Sequence, residues 1–294
     1  MGRISLRKIK ACLQLMRLPN VFTAVADIVA GYVIVRGFAV DIAELGALVL
    51  ATSGIYAAGC VLNDFCDREV DARERPSRPL PSGKVSGREA LIVTFFLFAA
   101  GLCGAYLAGP VSFALALAIV LLVILYDCRS KQHDIVGPLN MAACRAGNLL
   151  LGMSPALAVS LPLLFPLVSF CYIFLVTMFS RLETEGNAGG RAWFMTGGIA
   201  AVFLLFAGLV AMGDVKADAF IYLVLLAGLV LPPLRRAIRQ DTASSVQQSV
   251  RSLILAIPFL DAAYAAGMQG VVAGLPVVFC LLPALLIARF FYVT

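Results

Sequence analysis

The chain has 294 residues, 61% of them hydrophobic and 14% charged, with a mean hydropathy of +0.95. A soluble domain cannot hide that much apolar surface, so the composition specifies an integral membrane protein and excludes a soluble enzyme, a disordered chain and a disulfide framework. Lys and Arg total 23 against 17 Asp and Glu, but these charges sit in short gaps between apolar runs rather than on one dense face, which excludes a nucleic-acid-binding domain.

A bilayer core of roughly 30 Å takes about 20 apolar residues of helix. Ten segments qualify: 18–37, 42–62, 89–108, 111–127, 136–157, 161–180, 192–212, 217–234, 250–268 and 271–291. The ninth carries Arg251, Pro258 and Asp261, so it is expected either to span or to lie as a half-buried or interfacial helix. The predicted fold class is all-α, a polytopic membrane helical bundle of nine or ten transmembrane helices forming one domain over residues 1–294. The basic start, Arg3 to Arg17, is separated by polar breaks from a long first span, unlike a cleavable leader, and that span is expected to be retained.

Lys and Arg are distributed unevenly among the gaps. Five precede span 1 and six (Arg68, Arg73, Arg75, Arg78, Lys84, Arg88) separate spans 2 and 3, whereas the gaps after spans 3 and 5 hold none. This asymmetry places the N-terminus and the loops near 64–88, 128–135, 181–191 and 235–249 in the cytoplasm of a bacterial-type inner membrane. Arg36 and Lys216 are the minor exceptions. The polar ends of spans 2, 4 and 6 then share one compartment, where distant loops could converge.

Span 2 ends in Asn63-Asp64-Phe65-Cys66-Asp67-Arg68-Glu69-Val70-Asp71. If the helix continues, Asp64, Asp67 and Asp71 share one face and repel unless a cation sits among them. An all-oxygen donor set suits Mg²⁺, which substrate phosphates usually complete; the alternative is a solvated helix end. Arg73, Arg75, Arg78 and Lys84 follow, in a loop reading Arg78-Pro79-Leu80-Pro81-Ser82-Gly83. Such cations suit a diphosphate, although some serve only as positive-inside anchors. His133 is the single histidine, so an imidazole-built zinc site and a Ser-His-Asp triad are both excluded. The eight cysteines form no C-x-x-C pair and read as reduced small hydrophobic residues.

Here the chain resembles the UbiA superfamily of intramembrane prenyltransferases. The resemblance rests on Asn63-Asp-x-x-Asp-x-x-x-Asp71, on Arg78-Pro-Leu-Pro-Ser-Gly83, on Arg17-Leu-Pro-Asn20 at the start of span 1, and on the order of spans. It implies a helical bundle around a lateral cavity in which magnesium holds a prenyl diphosphate and the isoprenoid carbon passes to an acceptor. By that resemblance Asp64, Asp67 and Asp71 are catalytic and metal-binding, with Asn63, Arg68 and Arg78 at the diphosphate. Tyr126, Arg129 and Lys131 would add diphosphate contacts after span 4, though the Tyr-to-Lys spacing is one residue longer than the family's form, and Tyr126 also fits an interfacial anchor.

The second acidic motif of the family departs here to Ser180-Arg181-Leu182-Glu183-Thr184-Glu185-Gly186. Only Glu183 and Glu185 remain as acids, and two residues apart they reach one metal only outside helical geometry. Arg181 could neutralise diphosphate or cap the helix. In span 5, Arg145 and Asn148 lie one turn apart, lining a wet cavity near the diphosphate or forming an interhelix pair. That run, with the Glu-type second motif, resembles the UbiA-like members called EboC. Asp27 and Asp261 are intramembrane acids that either could pair with an arginine.

The resemblance therefore implies an enzyme that moves an isoprenoid group from a prenyl diphosphate to an aromatic or other small hydrophobic acceptor, with Mg²⁺-assisted departure of the diphosphate. Its partners are these two substrates and the bilayer, and the residues point to no particular protein partner. The alternative is a catalytically degenerate relative that binds or exports an isoprenoid lipid. A transporter would show discontinuous spans in two matching halves, of which only a weak echo exists in the acidic clusters after spans 2 and 6. The Asp-x-x-Asp-Gly-x-x-Ala-Arg pattern of CDP-alcohol phosphotransferases is absent.

Overall fold

The computed structural model describes residues 6–157, 161–181, 188–240 and 242–288. Every regular element among them is helical. The first, α1 (Leu6–Leu15), is amphipathic: Ala11 and Leu15 are buried against Val61, Val85 and Ala90, while Ile9 and Lys10 face outward. Arg17, left-handed at φ 47°, turns the chain into α2 (Leu18–Arg36), and Pro19 fits the first turn, where no N–H is needed. Asp41 caps α3 (Ile42–Cys66) by accepting from the N–H groups of Ala43 and Glu44.

After Asp67 comes α4 (Arg68–Glu74), then a proline-punctuated loop, then α5 (Gly87–Ala108), which a capping box of Ser86 and Glu89 opens. Gly109 at φ 139° and Pro110 reverse the chain into α6 (Pro110–Cys128). There follow α7 (Val136–Met153), α8 (Leu164–Ser180), α9 (Ala188–Ala211), α10 (Ala219–Gln240), α11 (Ala243–Leu255), α12 (Ile257–Gln269), α13 (Leu275–Phe279) and α14 (Leu281–Ala288).

Seven helical stretches among the described residues are long and apolar enough to cross a bilayer: α2, α3, α5, α6, Trp193–Ala211 of α9, α10, and α11 with α12 taken together. The α8 helix and the stretch Val271–Ile287 are apolar but shorter, and α7 carries Asn140, Arg145 and Asn148. Exposed Phe95, Phe96, Leu121, Trp193, Phe194 and Leu204 on α5, α6 and α9 give these helices an outward apolar face suited to lipid. The protein is an integral membrane protein.

The most enclosed elements are α2, α7 and α12. The crossing of α2 with α7 depends on Gly31 and Gly152: a Cβ on Gly152 would lie 2.6 Å from the Ile28 carbonyl oxygen, and one on Gly31 2.9 Å from Gly152 C. In lipid the hydrophobic effect does not press helices together, so such close approach lets dispersion forces hold them.

Three elements depart from the apolar pattern. Helix α10 does not stop at the prolines but runs through Pro232 and Pro233 to Gln240. The buried face of Val230, Leu234 and Ala237 continues across the two lost N–H groups and holds the helix in register. The ninth segment begins earlier than expected, at Ala243, and Pro258 starts α12 rather than breaking it. It is not interfacial: Ala262 to Ala266 and Asp261 are all buried, because small side chains let α12 pack against α2 and α10. The last segment is split into α13 and α14, with Pro276 in the first turn of α13 and Pro283 near the start of α14.

Candidate functional site

The joint between α3 and α4 sets the geometry. Asp67, at φ −88° and ψ 3°, lies between the two helices, its N–H bonded to the Asn63 carbonyl at 2.9 Å and its own carbonyl accepting from Asp71 N–H at 2.8 Å. One continuous helix with all three aspartates facing a common cation is therefore not what forms. Arg78 Nη1 stands 2.7 Å from Asp71 Oδ2 and 3.7 Å from Asp64 Oδ1. Arg17 Nη2 lies 2.7 Å from Asp64 Oδ1, and Asp67 turns instead to Lys131 Nζ at 2.6 Å. Three basic side chains from distant stretches thus offset the repulsion among the carboxylates.

Each cation is held by its local sequence. The left-handed turn at Arg17 is closed by the Asn20 N–H donating to the Arg17 carbonyl at 2.8 Å. Arg78 begins a loop pinned by Ser82 N–H to the Arg78 carbonyl at 3.0 Å and Val85 N–H to the Pro79 carbonyl at 3.2 Å, with Leu80 and Val85 packed into the α1, α3 and α5 cluster. Lys131 sits in a short turn, Ser130–Gln132, anchored by Asn140 Nδ2 donating to Ser130 Oγ at 2.8 Å. Arg181 Nη2 donates to the Lys131 carbonyl at 2.8 Å and Nη1 to Asp134 Oδ1 at 3.2 Å. That approach needs Gly137, whose Cβ would run into the Arg181 guanidinium and stand 2.9 Å from the Ser130 carbonyl oxygen.

The structure therefore gathers Asp64, Asp67, Asp71, Arg78 and Lys131, with Asn63 beside them, and Arg181 braces the turn that carries Lys131. Tyr126 is half-buried at the end of α6, and Arg129 is exposed just beyond it. Arg68 points away, donating to the Phe65 carbonyl at 3.1 Å with its guanidinium 4.6 Å from the Phe65 ring centroid. Arg145 and Asn148 are not brought to the aspartates. Arg145 Nη2 lies 2.7 Å from Asp27 Oδ1 and 2.7 Å from the Thr23 carbonyl. Asn148 Nδ2 donates to Asp27 Oδ2 at 2.8 Å, and Thr52 Oγ1 donates to Asn148 Oδ1 at 2.7 Å. Asp261 lies against Asp27 from α12. Glu183 and Glu185 lie outside the described residues.

Two participants were not singled out as site residues by the sequence reading. Arg17 appears there only as part of the motif opening span 1, yet it is the nearest cation to Asp64. Asp127, buried at the end of α6, accepts from Asn63 Nδ2 at 3.0 Å. Its signal was available, since an acid near the C-terminal end of an apolar helix is electrostatically misplaced.

The donor chemistry at this joint fits a hard cation. Asp64 and Asp71 converge on one point, which a guanidinium nitrogen holds, and neither histidine nor thiolate shares it. Among the described residues no three acidic, thiol or imidazole groups gather around one position. Mg²⁺ takes one or two carboxylates and leaves its other positions to water and phosphate, so two converging aspartates suffice.

Residues 24–146 match the UbiA prenyltransferase family model, a range that runs from within α2 to the middle of α7. The digeranylgeranylglyceryl phosphate synthase of Methanopyrus kandleri is 35% identical over 159 residues, 53% of this chain and 58% of that protein. The synthase of the same name from Methanoregula boonei is 33% identical over 174 residues, 59% of this chain and 61% of that protein. For the Sulfurisphaera tokodaii synthase the match is 31% over 138 residues, so the chain spans about half the length of the curated relatives it matches. A solved structure concerning digeranylgeranylglyceryl phosphate synthase in membranes shares the fold, with a TM-score of 0.67, 19% identity, and coverage of 90% of this chain and 99% of that one. A UbiA homologue from Archaeoglobus fulgidus bound to GPP and Mg²⁺ gives a TM-score of 0.53 at 13% identity, covering 92% of this chain and 99% of that one.

Proposed function

We propose, from a chain whose residues 24–146 belong to the UbiA prenyltransferase family, that this protein is an intramembrane prenyltransferase acting on a prenyl diphosphate. The observation that carries the reading is the set of aspartate–cation pairs at the end of an apolar bundle, Arg17 with Asp64, Arg78 with Asp71 and Lys131 with Asp67. Such pairs are poised to exchange partners. Arg17, Arg78 and Lys131 can turn their donors to the oxygens of a diphosphate, and the carboxylates of Asp64, Asp67 and Asp71, so released, would hold Mg²⁺.

Bound there, Mg²⁺ would supply stabilisation of the negative charge that builds on the departing diphosphate. The chain's own residues do the rest. Arg78, nearly enclosed, fixes the phosphate relative to the α3–α4 joint, and Lys131 holds the outer oxygens. The apolar walls below keep water from the allylic cation as the C–O bond breaks. The acceptor proton falls to a carboxylate or to the leaving diphosphate.

The relatives named digeranylgeranylglyceryl phosphate synthases favour a hydrophobic alcohol over an aromatic ring as acceptor. The distribution of Lys and Arg supports cytoplasmic placement of the N-terminus and the site. On this reading α7, α8 and the Val271–Ile287 stretch join the seven apolar stretches to give nine or ten crossings. Glu183 and Glu185 are proposed, by the family resemblance alone, as further acidic residues of the same site.

The test is release of pyrophosphate by purified protein in detergent, with Mg²⁺, with geranyl, farnesyl or geranylgeranyl diphosphate, and with lipid-alcohol or aromatic acceptors. Mg²⁺-dependent release that Asp67→Ala abolishes is the expected result. Binding without release from any donor and acceptor pair would instead support a non-catalytic isoprenoid-binding protein, a reading favoured by the neutralisation of every aspartate in the resting site. Absence of binding would overturn both.

A further inference from the structure

Asp127 occupies a costly position for a carboxylate. It is 4% exposed and one residue from the C-terminal end of α6, where the helix dipole is negative and the carbonyl groups point. The prenyltransferase reading makes no use of it. Its side-chain partner is Asn63, whose Nδ2 donates to Asp127 Oδ1 at 3.0 Å, and Lys131 and Asp67 lie within electrostatic reach.

A carboxylate oxygen offers lone pairs, so the amide must show it nitrogen. The contact therefore decides which end of the Asn63 amide faces α6, a choice that is otherwise open for any asparagine. Asn63 stands four residues before Asp67, one turn away at the α3–α4 joint, and with Nδ2 turned to Asp127 its amide oxygen is left as an acceptor. An amide held this way presents its oxygen as an acceptor suited to a cation and keeps one N–H of Nδ2 on Asp127.

We propose that Asp127 is a positioning residue that locks Asn63 with its carbonyl oxygen available to the hard cation served by Asp64, Asp67 and Asp71. The proposal rests on the prenyltransferase reading, and it moves Asn63 from the diphosphate to the cation. It also accounts for a buried acid at a helix end that disfavours it.

The test uses the full chain in detergent, with Mn²⁺ as a paramagnetic probe whose free concentration is read by electron paramagnetic resonance, in the presence of inorganic pyrophosphate. Wild type is compared with Asp127→Ala, Asn63→Ala, the double variant and Asp127→Asn. Asp127→Ala and Asn63→Ala should each weaken Mn²⁺ binding about tenfold, and Asp127→Asn, which loosens the lock while keeping the volume, about threefold. The double variant should lose no more than either single change, because both remove one shared interaction. Metal-free pyrophosphate binding by Asp127→Asn should stay at the wild-type value.

Wild-type Mn²⁺ affinity in Asp127→Ala, or losses that multiply to about a hundredfold in the double variant, would overturn the positioning role alone. Should Asp127→Ala fail to fold, an unchanged affinity in Asp127→Asn would overturn it equally. A wild type that binds no Mn²⁺ would take down the prenyltransferase reading and this inference together.

Discussion

Lys131 Nζ lies 2.6 Å from Asp67 Oδ1 and fastens the turn after α6 to the joint between α3 and α4, with 34% of the Asp67 side chain still exposed. The Arg145–Asp27 pair is nearly as short, at 2.7 Å, but leaves only 2% of the Asp27 side chain exposed. Similar geometry thus serves two ends. The open pair at the rim can be traded for a ligand, whereas the closed pair between α2 and α7 can only be kept or lost.

Replacing Lys131 by Met should separate function from stability. The pair is half-buried, with 15% of the Lys131 and 34% of the Asp67 side chain exposed, so it contributes about 1 kcal/mol and the thermal midpoint in detergent should move modestly. Pyrophosphate release should fall at least about tenfold in kcat/KM, since a charge-assisted contact to the leaving group is lost. A large drop in the midpoint would show that the pair holds the fold instead.

Replacing Arg145 by Leu should act in the opposite way. It strands the buried Asp27 carboxylate beside Asp261, and breaking such a pair costs about 3–5 kcal/mol. The double variant Asp27→Leu with Arg145→Leu should be more stable than the sum of the single losses, as read from chemical unfolding in detergent. Strict additivity would mean that the two side chains do not act as a pair.

Arg17→Gly should cancel two effects in stability but not in activity. Glycine relieves the left-handed backbone at φ 47°, worth roughly 1–2 kcal/mol, while removing the 2.7 Å bond to Asp64. The unfolding midpoint should remain near wild type, and the KM for prenyl diphosphate should rise. An unchanged KM would remove Arg17 from the set of diphosphate donors.

Gly152→Val should destabilise the α2–α7 crossing by about 1–3 kcal/mol, because its Cβ would meet the Ile28 carbonyl oxygen at 2.6 Å. Gly208→Val, with nothing within 4 Å of the new Cβ, is the matched control and should change the midpoint by less than about 0.5 kcal/mol. Comparable effects at both positions would argue that helix propensity, not close approach, governs the response.

Much of this was legible in the sequence because lipid imposes a simple rule on apolar runs, and the aspartates of residues 64 to 71 interrupt one of those runs conspicuously. Pairing was less legible. Nothing local in the sequence tells Asp67 to leave the face of Asp64 and Asp71, since its partner Lys131 comes from another helix. The suspicion that Asp27 could meet an arginine was correct, yet Arg145 read equally well as a lining residue of a wet cavity. Pro258, with Arg251 and Asp261, made the ninth segment read as either a span or a half-buried helix, while the burial around it depends on neighbouring helices. Asp127 is visible as an acid at the unfavourable end of an apolar run, but its contact with Asn63 comes from another helix.

The long reach between Asp67 and Lys131 also bears on biogenesis. A ribosome adding about 5–20 residues per second delivers Lys131 roughly 3–13 seconds after Asp67. Through that interval the acidic stretch emerges with only Arg17 and, soon after, Arg78 to steady it. The last cation arrives with α6, so a nascent chain halted before that helix has no complete site. Capacity for the lipid precursor is thereby tied to insertion through α6, and copies halted before it would not sequester it.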